Sequence, residues 1–256
     1  MLLGTDGEVN KVHNMEKKTL SGGYLHSGGF TIVEVLLAMV IGLIVMGAVY
    51  SAMSEGHKAS TGIEQKISTQ QDVRAALDVM TMEIAMASFN PLGGGSLWLA
   101  PANCAAGTAI NKGIQIATPN QIALEMDTNQ NGAIDAATEL LTYTYDIPNQ
   151  QITRRTGCAG GLPPAFLGDV NAPSAAARNV LVINNTLGIP MFRYFDGNGT
   201  EIFPTSINTA PIPNIRKIRV TIAVQAAAPD MKGQSRRMVY SSDIIPRNHV
   251  VSASLP

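Results

Sequence analysis

An unbroken apolar run from Phe30 to Met53, FTIVEVLLAMVIGLIVMGAVYSAM, holds a single charge, Glu34. At about 1.5 Å per helical residue the run is long enough to cross a hydrocarbon core of about 30 Å. A helix that buries one face in a globular core keeps polar residues on the other, and this one has no polar face. Residues 30–53 therefore read as a membrane span. Lys17 and Lys18 precede it, whereas Glu55, Lys58, Glu64 and Lys66 after it balance. The positive-inside bias then leaves the N-terminus in the cytoplasm and exports the rest of the chain. Nothing from Ser51 to Ser60 makes an A-x-A-like cleavage site, so the span is expected to stay.

Glu34 is the costly residue. An ionised carboxylate inside a membrane helix is strongly unfavourable unless it meets a positive partner. No Lys or Arg lies within a helical turn of it. A cut between Gly29 and Phe30 would create an α-amino group on Phe30 and so supply a positive charge.

Gly28-Gly29 followed by Phe30-Thr31-Ile32-Val33-Glu34-Val35-Leu36-Leu37-Ala38 resembles the processing site of type IV pilins and type II secretion pseudopilins. The resemblance implies a prepilin peptidase that cuts after Gly29 and methylates the new N-terminal Phe30. It also implies that Glu34 meets the N-terminal amine of a neighbouring subunit as a filament grows. The implied location is the bacterial inner membrane, crossed once, with the head in the periplasm until a filament carries it to the cell surface. Residues 1–29 form a long leader for this family, with Asp6 and Glu8 in a segment expected to be basic. Starting at Met15 leaves MEKKTLSGGYLHSGG with Lys17 and Lys18, so Met15 is the expected true start.

After the span, Val73, Leu77, Met80, Ile84 and Ala87 recur at helical spacing, while Asp72, Arg74, Asp78 and Glu83 lie off that stripe. No proline occurs between Phe30 and Asn90, so one helix is expected to run to Phe89 and stop at Asn90-Pro91. Its length, roughly 90 Å, exceeds any globular core. Residues 54–90 are its amphipathic half, with the stripe buried in the protein's own head.

From Ser96 onward short β-branched runs alternate with turns: 113–117, 121–126, 139–146, 180–184, 191–195, 215–225 and 237–244. The expected fold class is α+β and pilin-like: a long N-terminal helix packed on an antiparallel β-sheet, with an exported β-rich head over 91–256. FRYFDGNG and IRKIRVTIAV resemble the sheet region of PilW-type minor pilins and J-type minor pseudopilins.

In DTNQNGAIDAATE, Asp127, Asn129, Asn131, Asp135 and Glu139 have the alternation of a calcium loop, with Gly132 at its sharp turn. The twelfth position is Thr138, however, and a polar turn between strands explains the same residues. No other metal and no required cofactor is expected. Cys104 and Cys158 lack a CxxC partner and suit a single disulfide outside the cytoplasm, with two free thiols as the alternative. Asp196-Gly197-Asn198-Gly199 reads as a hairpin turn. Arg216-Lys217 and Arg236-Arg237 are too short for a nucleic-acid stripe, and a net charge of −1 announces no such partner.

His13, His26, His57 and His249 are not beside a recognisable nucleophile or acid pair, and no G-x-S-x-G, phosphate loop or H-E-x-x-H occurs. The chain reads as a non-enzyme. The expected role is a PilW-like minor subunit of a type IV pilus, active in assembly or initiation. The implied partners are other major and minor pilins, packed helix to helix in the filament core, the prepilin peptidase, and the inner-membrane assembly platform. The alternatives are a J-type minor pseudopilin of a type II secretion system and a membrane-anchored extracytoplasmic binding module.

Overall fold

A computed structural model describes residues 29–94, 97–168, 180–203, 211–226 and 236–251. The leader up to Gly28, including Met15, Lys17 and Lys18, lies outside the described residues. The chain divides into two compact units, one ending at Ala52 and one starting at Met53.

Helix α1 spans Ile32–Ala85. In the first unit every described residue is exposed, and α1 there is long and apolar enough to cross a membrane. In the second unit the helix has a buried face. Val73, Met80, Ile84 and Leu77 are at most 8% exposed, and they join residues of both sheets in one core. Full burial of each such side chain is worth about 1.5–3 kcal/mol.

The helix ends four residues before the expected Phe89. Ala87 donates its N–H to Ile84 O, a tighter turn, and Ser88 then takes φ 66°. The Ser88 N–H leaves the helix for Glu125 O at 2.8 Å, so pairing with the sheet overrides a sequence that carries no helix breaker there. The approach is close at Gly113, where a Cβ would lie 2.6 Å from both Ser88 Cα and Glu125 O.

Ten strands form two sheets of five, where one sheet was expected. The first is a meander in sequence order: β1 Ile114–Ala117, β2 Gln121–Glu125, β3 Leu140–Asp146, β4 Gln151–Thr156 and β5 Ala165–Leu167. The second contains β6 Val180–Val182, β7 Phe192–Phe195, β8 Glu201–Ile202, β9 Lys217–Ala226 and β10 Arg237–Ile244. Its order is β10-β9-β7-β8, with β6 also on β9, and every pairing in both sheets is antiparallel. A short helix, α2 Arg247–Val251, follows.

Strands β4, β5 and β8 escape sequence reading. In β4 the reason is Arg154, a charge at an inward position. It donates to Glu83 of α1 through Nη2 at 2.6 Å and Nε at 3.2 Å, and the hydroxyl of Tyr143 on β3 donates to the same carboxylate. Burial first, and Glu83 second, push the Tyr143 hydroxyl far above the usual phenol range. A residue off the apolar stripe thus fastens the helix to the first sheet.

Glu125 is fully buried at the junction of three segments. Its O accepts Ser88, its N–H goes to Gly113 O, and its Oε1 takes the Leu99 N–H at 2.8 Å. Burial pushes its carboxyl up to about 8, although the Leu99 amide and the Gln115 side chain pull the other way. His249 of α2 is also fully buried and does stand beside a hydroxyl, contrary to the expectation from spacing. Its Nδ1 is 2.9 Å from Ser88 Oγ and its Nε2 is 2.9 Å from Ile212 O. A carbonyl only accepts, so Nε2 carries the proton and Nδ1 accepts from Ser88. Among the described residues no carboxylate bonds the ring, and with both side chains buried the pair ties α2 to the chain just past the end of α1. Burial brings His249 down to about 4, helped by Lys112 and Arg216 and opposed by the Ile212 carbonyl.

These two groups give opposite pH dependences. From the ordinary 4.5 up to about 8, folded Glu125 holds a proton that the unfolded chain has lost, so stability falls as pH rises. The slope from one such proton is at most about 1.4 kcal/mol per pH unit. His249 costs stability as pH drops from 6.5 toward 4, where the unfolded chain binds a proton first. Glu125→Gln is expected to remove the loss on the alkaline side and His249→Gln the loss on the acid side, in denaturation of the full chain in detergent across this pH range. Glu83→Ala leaves Tyr143 and Arg154 without their acceptor and is expected to cost about 1–3 kcal/mol in the same assay.

Candidate processing and assembly site

Gly29 and Phe30 lie before the first helical residue in non-helical conformation, and Phe30 is 81% exposed. A Cβ built on Gly29 would meet nothing within 4 Å. No packing among the described residues therefore demands glycine at this position.

Thr31 begins the helix. Its Oγ1 accepts the Glu34 N–H at 3.2 Å and its O accepts the Val35 N–H at 3.2 Å, the bonding of an N-cap. Thr31-x-x-Glu34 is also the sequence of a capping box, a local signal for the start of a helix. Glu34 thus stands in the first turn, where the helix dipole favours an anion. A cut between Gly29 and Phe30 leaves Thr31 and this cap intact and places a new ammonium two residues before α1.

The head contains the other residues singled out by sequence. Asp127 and Glu139 are buried at the two ends of the loop between β2 and β3. Asp127 accepts the amides of Asn131 and Gly132, and Glu139 accepts those of Asn129 and Asp135 together with the Thr128 hydroxyl. Asn129, Asn131 and Asp135 each accept an amide two residues on. Burial would raise the Glu139 carboxyl, and these combined hydrogen bonds hold it below the usual range. The oxygens proposed for calcium are thus turned onto the loop's own backbone. Among the described residues no group of three or more His, Cys, Asp or Glu is arranged to hold a metal ion.

Cys104 and Cys158 are joined in a disulfide with Cα atoms 5.6 Å apart. It ties the loop after Trp98 to the loop after β4, and Ala159 N–H adds a bond to Pro101 O at 2.8 Å. These loops wall a cleft of about 600 Å³ on the outer face of the first sheet, floored by Gln121, Thr142, Thr144, Thr153 and Arg155. Asp196 to Gly199 form the β7–β8 hairpin turn, with Asp196 Oδ1 accepting the Asn198 and Thr200 amides.

A family model described as the prokaryotic N-terminal methylation motif matches residues 25–50. The match takes in the Gly29–Phe30 bond, the Thr31 cap and Glu34, and it ends before the head. No curated protein and no solved structure matches the chain. The chain carries the N-terminal signal of type IV pilin-like or pseudopilin precursors, on a helix apolar and long enough to anchor in a membrane.

Proposed function

We propose that this chain is a minor, PilW-like subunit of a type IV pilus, held in the bacterial inner membrane until it joins a filament. The observation that carries the reading is the methylation motif over residues 25–50, with an exposed Gly29–Phe30 bond just ahead of α1. The peptidase cuts after Gly29 and Phe30 is methylated. The apolar half of α1 then packs among the helices of neighbouring pilins. Glu34, costly in lipid on its own, attracts the terminal ammonium of the adjacent subunit and so favours assembly in one register. The head lies on the periplasmic side and then on the filament surface.

A second reading, a membrane-anchored binding module, is favoured by the cleft on the first sheet. Thr142 and Thr144 face it, and their hydroxyls have no partner among the described residues. It predicts that the head binds a ligand without other subunits.

Two outcomes test the first reading. Mass spectrometry of the mature chain is expected to find N-methylated Phe30 as the first residue, and an intact leader would overturn the reading. Glu34→Ala is expected to leave membrane insertion and cleavage unchanged while reducing incorporation into sheared pili at least about tenfold, a loss of about 1.4 kcal/mol or more. Normal incorporation would remove the role given to Glu34.

A further inference from the structure

Among the described strands every sheet edge but one is blunted, β6 by having three residues. β1 carries a register shift between Ile114 and Ile116, β5 has three residues and a shift in its pairing with β4, and β8 has two residues. The remaining edge, β10, pairs with β9 in unbroken register over eight residues and contains no proline. Folded proteins commonly guard edges with short strands, bulges, prolines or charges, because an open edge is a template for another strand.

The bonds of β9 show which way the backbone of β10 faces. Thr221 N–H goes to Met191 O, and Thr221 O accepts Asn184 Nδ2; Ala223 N–H goes to Asn184 Oδ1, and Ala223 O accepts Ile183 N–H. All four groups point away from β10. In an antiparallel pair, residues directly opposite turn their polar groups both toward or both away from each other. Thr221 lies opposite Ser241 and Ala223 opposite Val239, so Ser241 and Val239 present N–H and C=O outward. By alternation Arg237 and Asp243 do the same. Among the described residues nothing bonds to these outward groups.

The charges at the two ends are both drawn back onto β9, Arg237 donating through Nε to Gln225 Oε1 at 3.3 Å. Asp243 is held within its own sheet by Arg219 at 2.5 and 2.8 Å and by Lys217 at 3.4 Å. That pairing keeps its carboxyl down at about 2, with the Arg219 hydrogen bonds outweighing burial. Between the ends lie only uncharged side chains on the outer face, with Val239 52% exposed.

We propose that the outer edge of β10 is a pairing site for an extended strand from the head of a different filament subunit. This rests on the filament reading above. A second copy of this chain fits poorly. Parallel pairing would set Arg237 beside Arg237 and Asp243 beside Asp243, which is repulsive. Antiparallel pairing would turn the two α1 helices in opposite senses, because α1 runs along β10 in its own direction, Gln70 meeting Met238 and Thr81 meeting Ser242. Subunits that enter one membrane share one sense. Charge and exposure favour a partner strand with an acidic residue beside Arg237 and an apolar one beside Val239.

Amide hydrogen exchange resolved by residue tests the edge, using the full chain alone in detergent and the chain recovered in sheared filaments. The amides of Met238, Tyr240 and Ser242, bonded to β9, are slow in both samples and serve as the internal reference. Those of Val239, Ser241 and Asp243 are expected to be fast in the isolated chain and slowed about 100-fold in the filament. Ser241→Pro removes an outward N–H and leaves the backbone bonds to β9 in place, losing only the hydroxyl contact to Thr221 at 3.1 Å; it is expected to fold yet stay out of filaments, and Val239→Lys, which guards the edge with a charge and leaves that contact intact, should do the same. Slow exchange in an isolated monomer means that the chain covers its own edge, and slow exchange in an isolated dimer identifies a second copy; either overturns the proposal. So do fast amides in the filament, normal incorporation of both variants, or recovery only as a processed free monomer. An unprocessed N-terminus in the same samples, read by mass, marks failure of the filament reading instead.

Discussion

The packing of one helical stripe against two sheets is the contact on which the head depends. Val73, Leu77, Met80 and Ile84 of α1 reach inward residues of the first sheet, such as Tyr143 and Ile152, and of the second, such as Val220 and Ile222, in one continuous core. Neither five-stranded sheet has a closed barrel to hide its inner face, and burial against the helix is what removes that apolar surface from water. The polar contacts then set the position of the helix within that core. Glu83 receives Arg154 and Tyr143 from the first sheet, and Ser88, just past the helix end, is held by Glu125 on one side and His249 on the other.

The N-terminal unit follows a different physical rule. Its described side chains are all exposed, on a helix long and apolar enough to cross a membrane. At the start of α1, capped by Thr31, Glu34 sits favourably near the positive end of the helix dipole, and under the filament reading proposed above it meets an ammonium from outside the subunit. The helix is thus anchored at one end by chemistry within the head and left open at the other.

Much of this was legible in the residues because local rules acted alone. The stripe at helical spacing was buried as spacing required, and β10 was found with its observed bounds because nothing within it conflicts with strand periodicity. The Asp196 turn followed from Asn and Gly chemistry. β4 was hidden because its inward Arg154 breaks the alternation, and its partner Glu83 lies 71 residues away in sequence. The helix end was hidden for a similar reason: Ser88 is turned by a bond to Glu125, which no local signal foretells.

What the residues determined alone is the part that needs no fold: a membrane-length apolar helix and, at its start, a methylation motif that holds Gly29, Phe30 and Glu34. These are properties of a short contiguous stretch, and a protease or a bilayer reads them directly. Only the tertiary structure decided that the head has two sheets, that Glu125 and His249 are buried with opposed proton preferences, and that the long edge of β10 has no partner among the described residues. Each of these depends on which distant residues stand opposite one another. Pairing is a non-local matter of register, and in β10 the direction of a backbone N–H follows from how Asn184 bonds to β9.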